Sequence, residues 1–181
     1  MTTHVMLDLE TLSTSSDALV IAIGAAKFDP LGDGVSDSFH IAVDLNQLPN
    51  NLNKLEISPS TVAWWMSDSR AEARAVLAST PKTDLASALD GFADWFGNTS
   101  LPVWGNGANF DNVILRNTYN VLGLICPWKY SHDRCYRTIK NLAPGLEVTG
   151  FGTLHSALDD AISQALHMQK VIKHLNLTAV S

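Results

Sequence analysis

Asp8 and Glu10 stand two residues apart in the run Met6-Leu7-Asp8-Leu9-Glu10-Thr11. In an extended strand residues i and i+2 point to the same face, so both carboxylates would project together while Leu7 and Leu9 face the other way. Like charges placed so repel, and a hard divalent cation between them relieves the repulsion by taking carboxylate oxygens as ligands. The tripeptide also suits an ordinary strand end meeting solvent. Two further acids stand out by context. Asp111 follows Gly105-Asn106-Gly107-Ala108-Asn109-Phe110, and Asp160 lies late in the chain, five residues after His155. A central strand, a strand-to-helix junction and a packed helix can approach one point in an α/β fold, but spacing alone does not bring these four acids together.

The elements that must position them follow from patterning. Thr11-Leu12-Ser13-Thr14-Ser15-Ser16-Asp17 is small and polar, a loop leaving the first strand. Leu19-Val20-Ile21-Ala22-Ile23 predicts a strand covered on both faces, with a turn supplied from Lys27 to Gly34. Ser38 to Asp44 alternates as the third strand of an antiparallel meander. Residues 46–58 carry no clear period and read as an irregular connection. Ser58-Pro59-Ser60 marks a helix start, and the chain from Thr61 to Leu77 predicts two short helices with a break near Ser67. The adjacent Trp64 and Trp65 cannot share one buried helix face, so either the second ring lies under a loop or one ring offers a stacking surface to a nucleobase.

Leu85 to Phe96 has a helical apolar period ended by Gly97-Asn98, and Pro102-Val103-Trp104 reads as a short strand. Asn109 is placed to cap the helix that carries Asp111 and Val113-Ile114-Leu115. Thr153 is placed to cap a final helix whose apolar stripe is Leu154, Leu158, Ala161, Ile162, Ala165, Met168 and Ile172. Between them, Arg116, Lys129, Arg134, Arg137 and Lys140 face a single acid, Asp133. That local basic bias suits either a solvated face or a surface for phosphates.

With 181 residues, 46% of them hydrophobic and 17% charged, the chain suits one domain with a real core, spanning 1–181. The net charge of -6 excludes binding of nucleic acid through bulk positive charge, though not through a local basic patch or a bound cation. Cys126 and Cys135 have no metal-ligand spacing and suggest no disulfide framework, which points to a reducing cytoplasm. No apolar run reaches the roughly 20 residues a spanning helix needs, and no signal peptide is visible, so a membrane is not an expected partner.

Three ordered motifs, Asp8-Leu9-Glu10-Thr11, Asn109-Phe110-Asp111 and His155-Ser156-Ala157-Leu158-Asp159-Asp160-Ala161, resemble those of the DEDD-superfamily 3′-to-5′ exonucleases, in the branch with a histidine in its last motif. Trp64-Trp65 and Trp104-Gly105-Asn106-Gly107 further resemble the exonuclease VIII-like and phage exonuclease A-like group, although many of its members have His-Asn where this chain has Asn106-Gly107. The resemblance implies an α/β, ribonuclease H-like mixed sheet with helices on both faces. It implies Asp8, Glu10, Asp111 and Asp160, not Asp159, as ligands of two divalent ions, Mg²⁺ or Mn²⁺, with His155 as general base.

It also implies release of nucleoside 5′-monophosphates from the 3′ ends of nucleic acid. Single-stranded DNA is the first expectation, RNA the alternative, and a non-catalytic nucleic-acid-binding module a distant third. Thr11 and Leu12 are expected at the terminal nucleotide, Trp64 or Trp65 on its base, and a homodimer is expected as the assembly.

Overall fold

Alternation along the first strand decides which layer each side chain joins. The computed structural model describes residues 2–48, 54–97, 100–107 and 109–180. Strand β1, His4–Thr11, pairs antiparallel with β2, Val20–Phe28, which pairs antiparallel with β3, Val35–Val43. Two short parallel strands flank the meander on one side, β5, Val103–Gly105, beside β1 and then β6, Asp133–Cys135. On the other side β4, Lys82–Thr83, adds in parallel to β3, giving the order β4-β3-β2-β1-β5-β6. The expected mixed α/β sheet is therefore present.

Val5, Leu7 and Leu9 enter a core with Leu89, Phe92, Phe96, Ile114 and Tyr119, contributed by helices α3, Leu85–Phe96, and α4, Asp111–Leu122. Met6 points to the opposite face, where Ala161, Ala165, Met168 and Ile172 of helix α6, Ala157–His174, pack with Phe28, Trp104 and Tyr136. Helices cover both faces, and Asp8 and Glu10 fall on the α6 side. Between these lie α1, Pro59–Met66, α2, Ala71–Ser79, and the single turn α5, Tyr136–Lys140.

Gly24 explains how α6 comes so close. It pairs with Asp8 across the β1–β2 ladder, and a Cβ built on it would lie 2.1 Å from the Ala157 carbonyl carbon. Only a residue without a side chain lets the first turn of α6 rest on the sheet there. Asp160 is thereby set above β1.

Several expectations need correcting. The second strand runs on through Gly24-Ala25-Ala26-Lys27 to Phe28, because small residues suit the face that α6 covers, and the turn begins only at Asp29. Asn109 is exposed and does not cap α4; Phe110 holds the N-cap position without a side-chain bond. Thr153 does not cap α6, which starts after Ser156, and Leu154 is 69% exposed rather than on the core stripe. The two-helix reading of 61–77 with its break at Ser67 matches α1 and α2. Residues 49–53 of the expected irregular connection, Asn98 of the helix stop and Ala108 lie outside the described residues.

Candidate active site

Residues of β1 and α6 line a cleft of about 730 Å³. Asp8, Glu10 and Asp160 each offer a carboxylate oxygen there, and these oxygens lie within 4.8 Å of one another. Among the described residues no lysine or arginine forms an ion pair with any of the three. Glu10 Oε1 is buried with no hydrogen-bond partner among the described residues.

Burial pushes all three acids upward, and neighbouring carboxylates add to it. Glu10 is raised to about 9, by burial first and then by the carboxylates of Asp160 and Asp111. Asp8 is raised well above the carboxylate range by burial and by Asp111, Glu10 and Asp160. Asp160 is raised by burial, against the opposing hydrogen bond from the His155 amide. Three carboxylates so close are costly to ionise without a cation, and a hard divalent cation is the ligand that oxygen donors of this kind fit.

Asp111 lines the same cleft but is held differently. Its Oδ1 accepts from the Leu9 amide at 3.2 Å and its Oδ2 from the Asn106 amide at 2.9 Å. It therefore fastens the end of β5 to β1, and burial raises it to about 6, offset by those amides. Each carboxylate oxygen keeps a further lone pair, so latching does not exhaust its capacity as a ligand. Gly105 makes room for it, since a Cβ there would sit 3.0 Å from Asp111 Oδ2 and 2.4 Å from Asn112 Oδ1.

His155 precedes α6 with a left-handed backbone, φ 63°. Its amide donates to Asp160 Oδ2 at 2.9 Å, while Thr153 N donates to Asp159 Oδ2 at 2.8 Å. Asp159 therefore serves the loop and Asp160 the cleft. Burial, then the Arg70 charge, lowers the His155 imidazole below its ordinary value, which keeps it neutral and able to accept a proton near neutral pH.

The expected substrate contacts divide. Trp64 is 38% exposed, lines the cleft and meets the His155 ring edge-on at 4.9 Å, with the Arg70 guanidinium 4.3 Å from its own centroid. Trp65 also lines the cleft but is 5% exposed, and its Nε1 donates to the Thr11 carbonyl at 2.9 Å, so this ring braces the first loop. Thr11 lines the cleft. Leu12 does not; it packs with Ile21, Trp65, Ala73 and Leu77.

Gln164 has no counterpart among the sequence-based expectations. Its Nε2 donates to Asp8 Oδ1 at 2.7 Å. The available signal was its spacing, four residues after Asp160 and hence on the same helix face. The basic segment also resolves: Arg116 pairs with Asp133 at 2.6 Å beside Trp128, whereas Arg137 and Lys140 of α5 line the cleft.

The sequence matches the family described as Rv2179c-like 3′–5′ exoribonuclease domain over residues 3–172. The chain belongs to this family. Membership agrees with the resemblance to DEDD-superfamily 3′-to-5′ exonucleases carried by the three motifs. Among solved structures, apo exonuclease I superposes with a TM-score of 0.64 at 14% identity, covering 96% of this chain and 42% of that one. The nuclease domain of 3′hExo, a DEDDh family member bound to rAMP, gives 0.60 at 12% identity, covering 95% and 92%. A zinc-bound complex of E. coli exonuclease I with single-stranded DNA gives 0.63 at 13% identity, covering 98% and 42%. These likenesses establish a shared exonuclease fold, and the domain spans about two fifths of the exonuclease I chain. No curated protein sequence matches the chain.

Proposed function

We propose that this domain, residues 1–181, is a metal-dependent 3′-to-5′ exonuclease that releases nucleoside 5′-monophosphates. The observation that carries the proposal is the convergence of Asp8, Glu10 and Asp160 within 4.8 Å, in a cleft that also holds Asp111 and His155. Asp8, Glu10, Asp111 and Asp160 would hold two divalent ions, Mg²⁺ or Mn²⁺. When bound, such a pair neutralises phosphate charge, favours ionisation of the attacking water and stabilises the leaving oxygen.

The chain's own residues do the rest. Neutral His155 accepts a proton from the water at an imidazole nitrogen as the oxygen attacks phosphorus. The bond from phosphorus to the 3′-oxygen of the preceding nucleotide breaks and that oxygen takes a proton from solvent, so the released nucleotide keeps the phosphate and the shortened strand ends in a 3′-hydroxyl. Gln164 orients Asp8, and Asp111 keeps the ends of β1 and β5 in register. Thr11 and Trp64 border the position of the terminal nucleotide.

RNA is the substrate that membership of an exoribonuclease family favours. Single-stranded DNA is the second reading, supported by the fold shared with exonuclease I solved on single-stranded DNA. The setting is read as cytoplasmic and the assembly as a homodimer, which light scattering on the purified protein tests. No helix among the described residues is long and apolar enough to cross a membrane.

Incubation with Mg²⁺ or Mn²⁺ and 5′-labelled RNA and DNA of matched sequence tests the activity. Stepwise shortening, abolished by chelation, by Asp160→Asn and by His155→Ala, is the expected result. Products that retain the full 5′-labelled length, or activity that survives chelation, would refute the assignment.

A further inference from the structure

The cleft is acidic at its floor, yet its substrate would be a polyanion. Of the described residues lining it, only Arg137 and Lys140 are lysine or arginine, and both stand on α5, three residues apart and therefore on one helix face. Helix α1 contributes Ser60, Thr61, Trp64 and Trp65 to the lining, with Arg70 behind the Trp64 ring. Helix α5 thus gives the lining its two cations, and α1 adds hydroxyls and aromatic rings.

Arg137 is fixed in place. Its Nη2 donates to the Asn106 carbonyl, and it covers Gly107, where a Cβ would meet Nη2 at 3.4 Å. A guanidinium has five N–H donors, so this anchor leaves the others available to an oxyanion. The Lys140 ammonium makes no hydrogen bond or ion pair with the described residues, in contrast to Arg116, which Asp133 neutralises. Among the basic residues between 116 and 140, only these two are both in the cleft and free to meet a ligand's charge.

We infer that Arg137 and Lys140 form a backbone-phosphate subsite that tracks the single strand leading into the cleft, holding two consecutive phosphates along α5 while the bases face α1. The inference rests on reading the cleft as a nucleic-acid site. It assigns the two cations to the strand upstream of the reacting phosphate and leaves bond cleavage to the carboxylate floor.

Counterion release gives the test. Binding of a 5′-fluorescein 12-nucleotide RNA, and of the DNA of the same sequence, is measured by anisotropy in Ca²⁺ over a range of KCl. Neutralising two single-strand phosphates contributes a slope of about -1.4 to log K against log salt, about -0.7 per contact. Arg137→Gln with Lys140→Gln should remove about that much of the slope and weaken binding at low salt. Arg137→Lys should retain the slope, and Lys129→Gln, an exposed cation of the same segment outside the cleft, should not change it.

An unchanged slope in a double variant with a wild-type melting temperature overturns the subsite. If the slope falls as expected while no preparation hydrolyses either polymer, the subsite stands and the exonuclease reading fails. If polymers are trimmed but the slope does not move, the reverse holds.

Discussion

Gln164 Nε2 lies 2.7 Å from Asp8 Oδ1, one helical turn beyond Asp160. The residue is 7% exposed, and its amide oxygen has no hydrogen-bond partner. An amide that donates to a carboxylate favours its ionised form and fixes its rotamer, both of which a cation requires of Asp8. Gln164→Leu keeps the volume and removes the donor. Mn²⁺ affinity measured by calorimetry should fall about tenfold, the lower end of the usual loss for groups that orient metal ligands. Unaltered affinity in a folded variant would show that the contact is passive.

Metal-free protein should lose stability as pH rises. Glu10 stays protonated in the folded state up to about 9, well above its ordinary value, while the unfolded chain has already released that proton. The stabilising contribution is complete below the ordinary carboxylate range and disappears as pH climbs through the folded value. His4, held down at about 4 by burial, acts in the opposite sense below its ordinary 6.5, so the informative window is about pH 7 to about pH 9. Melting temperatures in EDTA should decline across that window, and Mg²⁺ or Mn²⁺ should restore most at its upper end, because binding requires the ionised carboxylates.

The two tryptophans should separate cleanly. Trp65→Ala removes a buried ring and the donor to Thr11, at a cost of about 3 to 5 kcal/mol in chemical denaturation. Trp64→Ala gives up a half-exposed ring and its Arg70 contact, about 0.5 to 1 kcal/mol. Its larger effect should be kinetic, since the ring edge that braces His155 is gone. A drop in kcat that exceeds any rise in KM, restored by Trp64→Phe, is the expected pattern. A change confined to KM would assign Trp64 to the base alone.

Gly105→Ala tests the latch between β1 and β5. The new Cβ would press on Asn112 Oδ1 and Asp111 Oδ2, so the strand end must shift at a cost of about 1 to 3 kcal/mol. Asp111 would move with it, and exonuclease activity should fall further than stability alone explains. Denaturation and turnover measured on the same preparation separate the two effects.

The pattern of the chain showed much of this site in advance, for definite reasons. A period of two placed Asp8 and Glu10 on one face, and burial of Leu7 and Leu9 opposite them follows from the same alternation. The start of α6 was hidden because Asp159 and Asp160 reach back to the amides of Thr153 and His155, letting His155 turn left-handed before the helix begins. No apolar period reports such a return contact. β4 and β6 span two and three residues and exist because β3 and β5 offer free edges, which a local reading cannot see. The acid Asp84, which caps α3 through the Ser87 amide at 3.0 Å, had a readable signature that periodicity overshadowed.

The contact of Ala157 with Gly24 bears on how the protein matures. Asp8 and Glu10 belong to the first ribbon of the chain and Asp160 to its last helix, so their repulsion is not confronted until α6 settles on the small residues of β2. A nascent chain stopped before α6 lacks Asp160 and cannot complete the cation site. Synthesis itself thus acts as a timer: the hydrolytic centre closes only after nearly all of these residues have been made. Divalent ions, by drawing Asp160 toward Asp8 and Glu10, favour that final docking step.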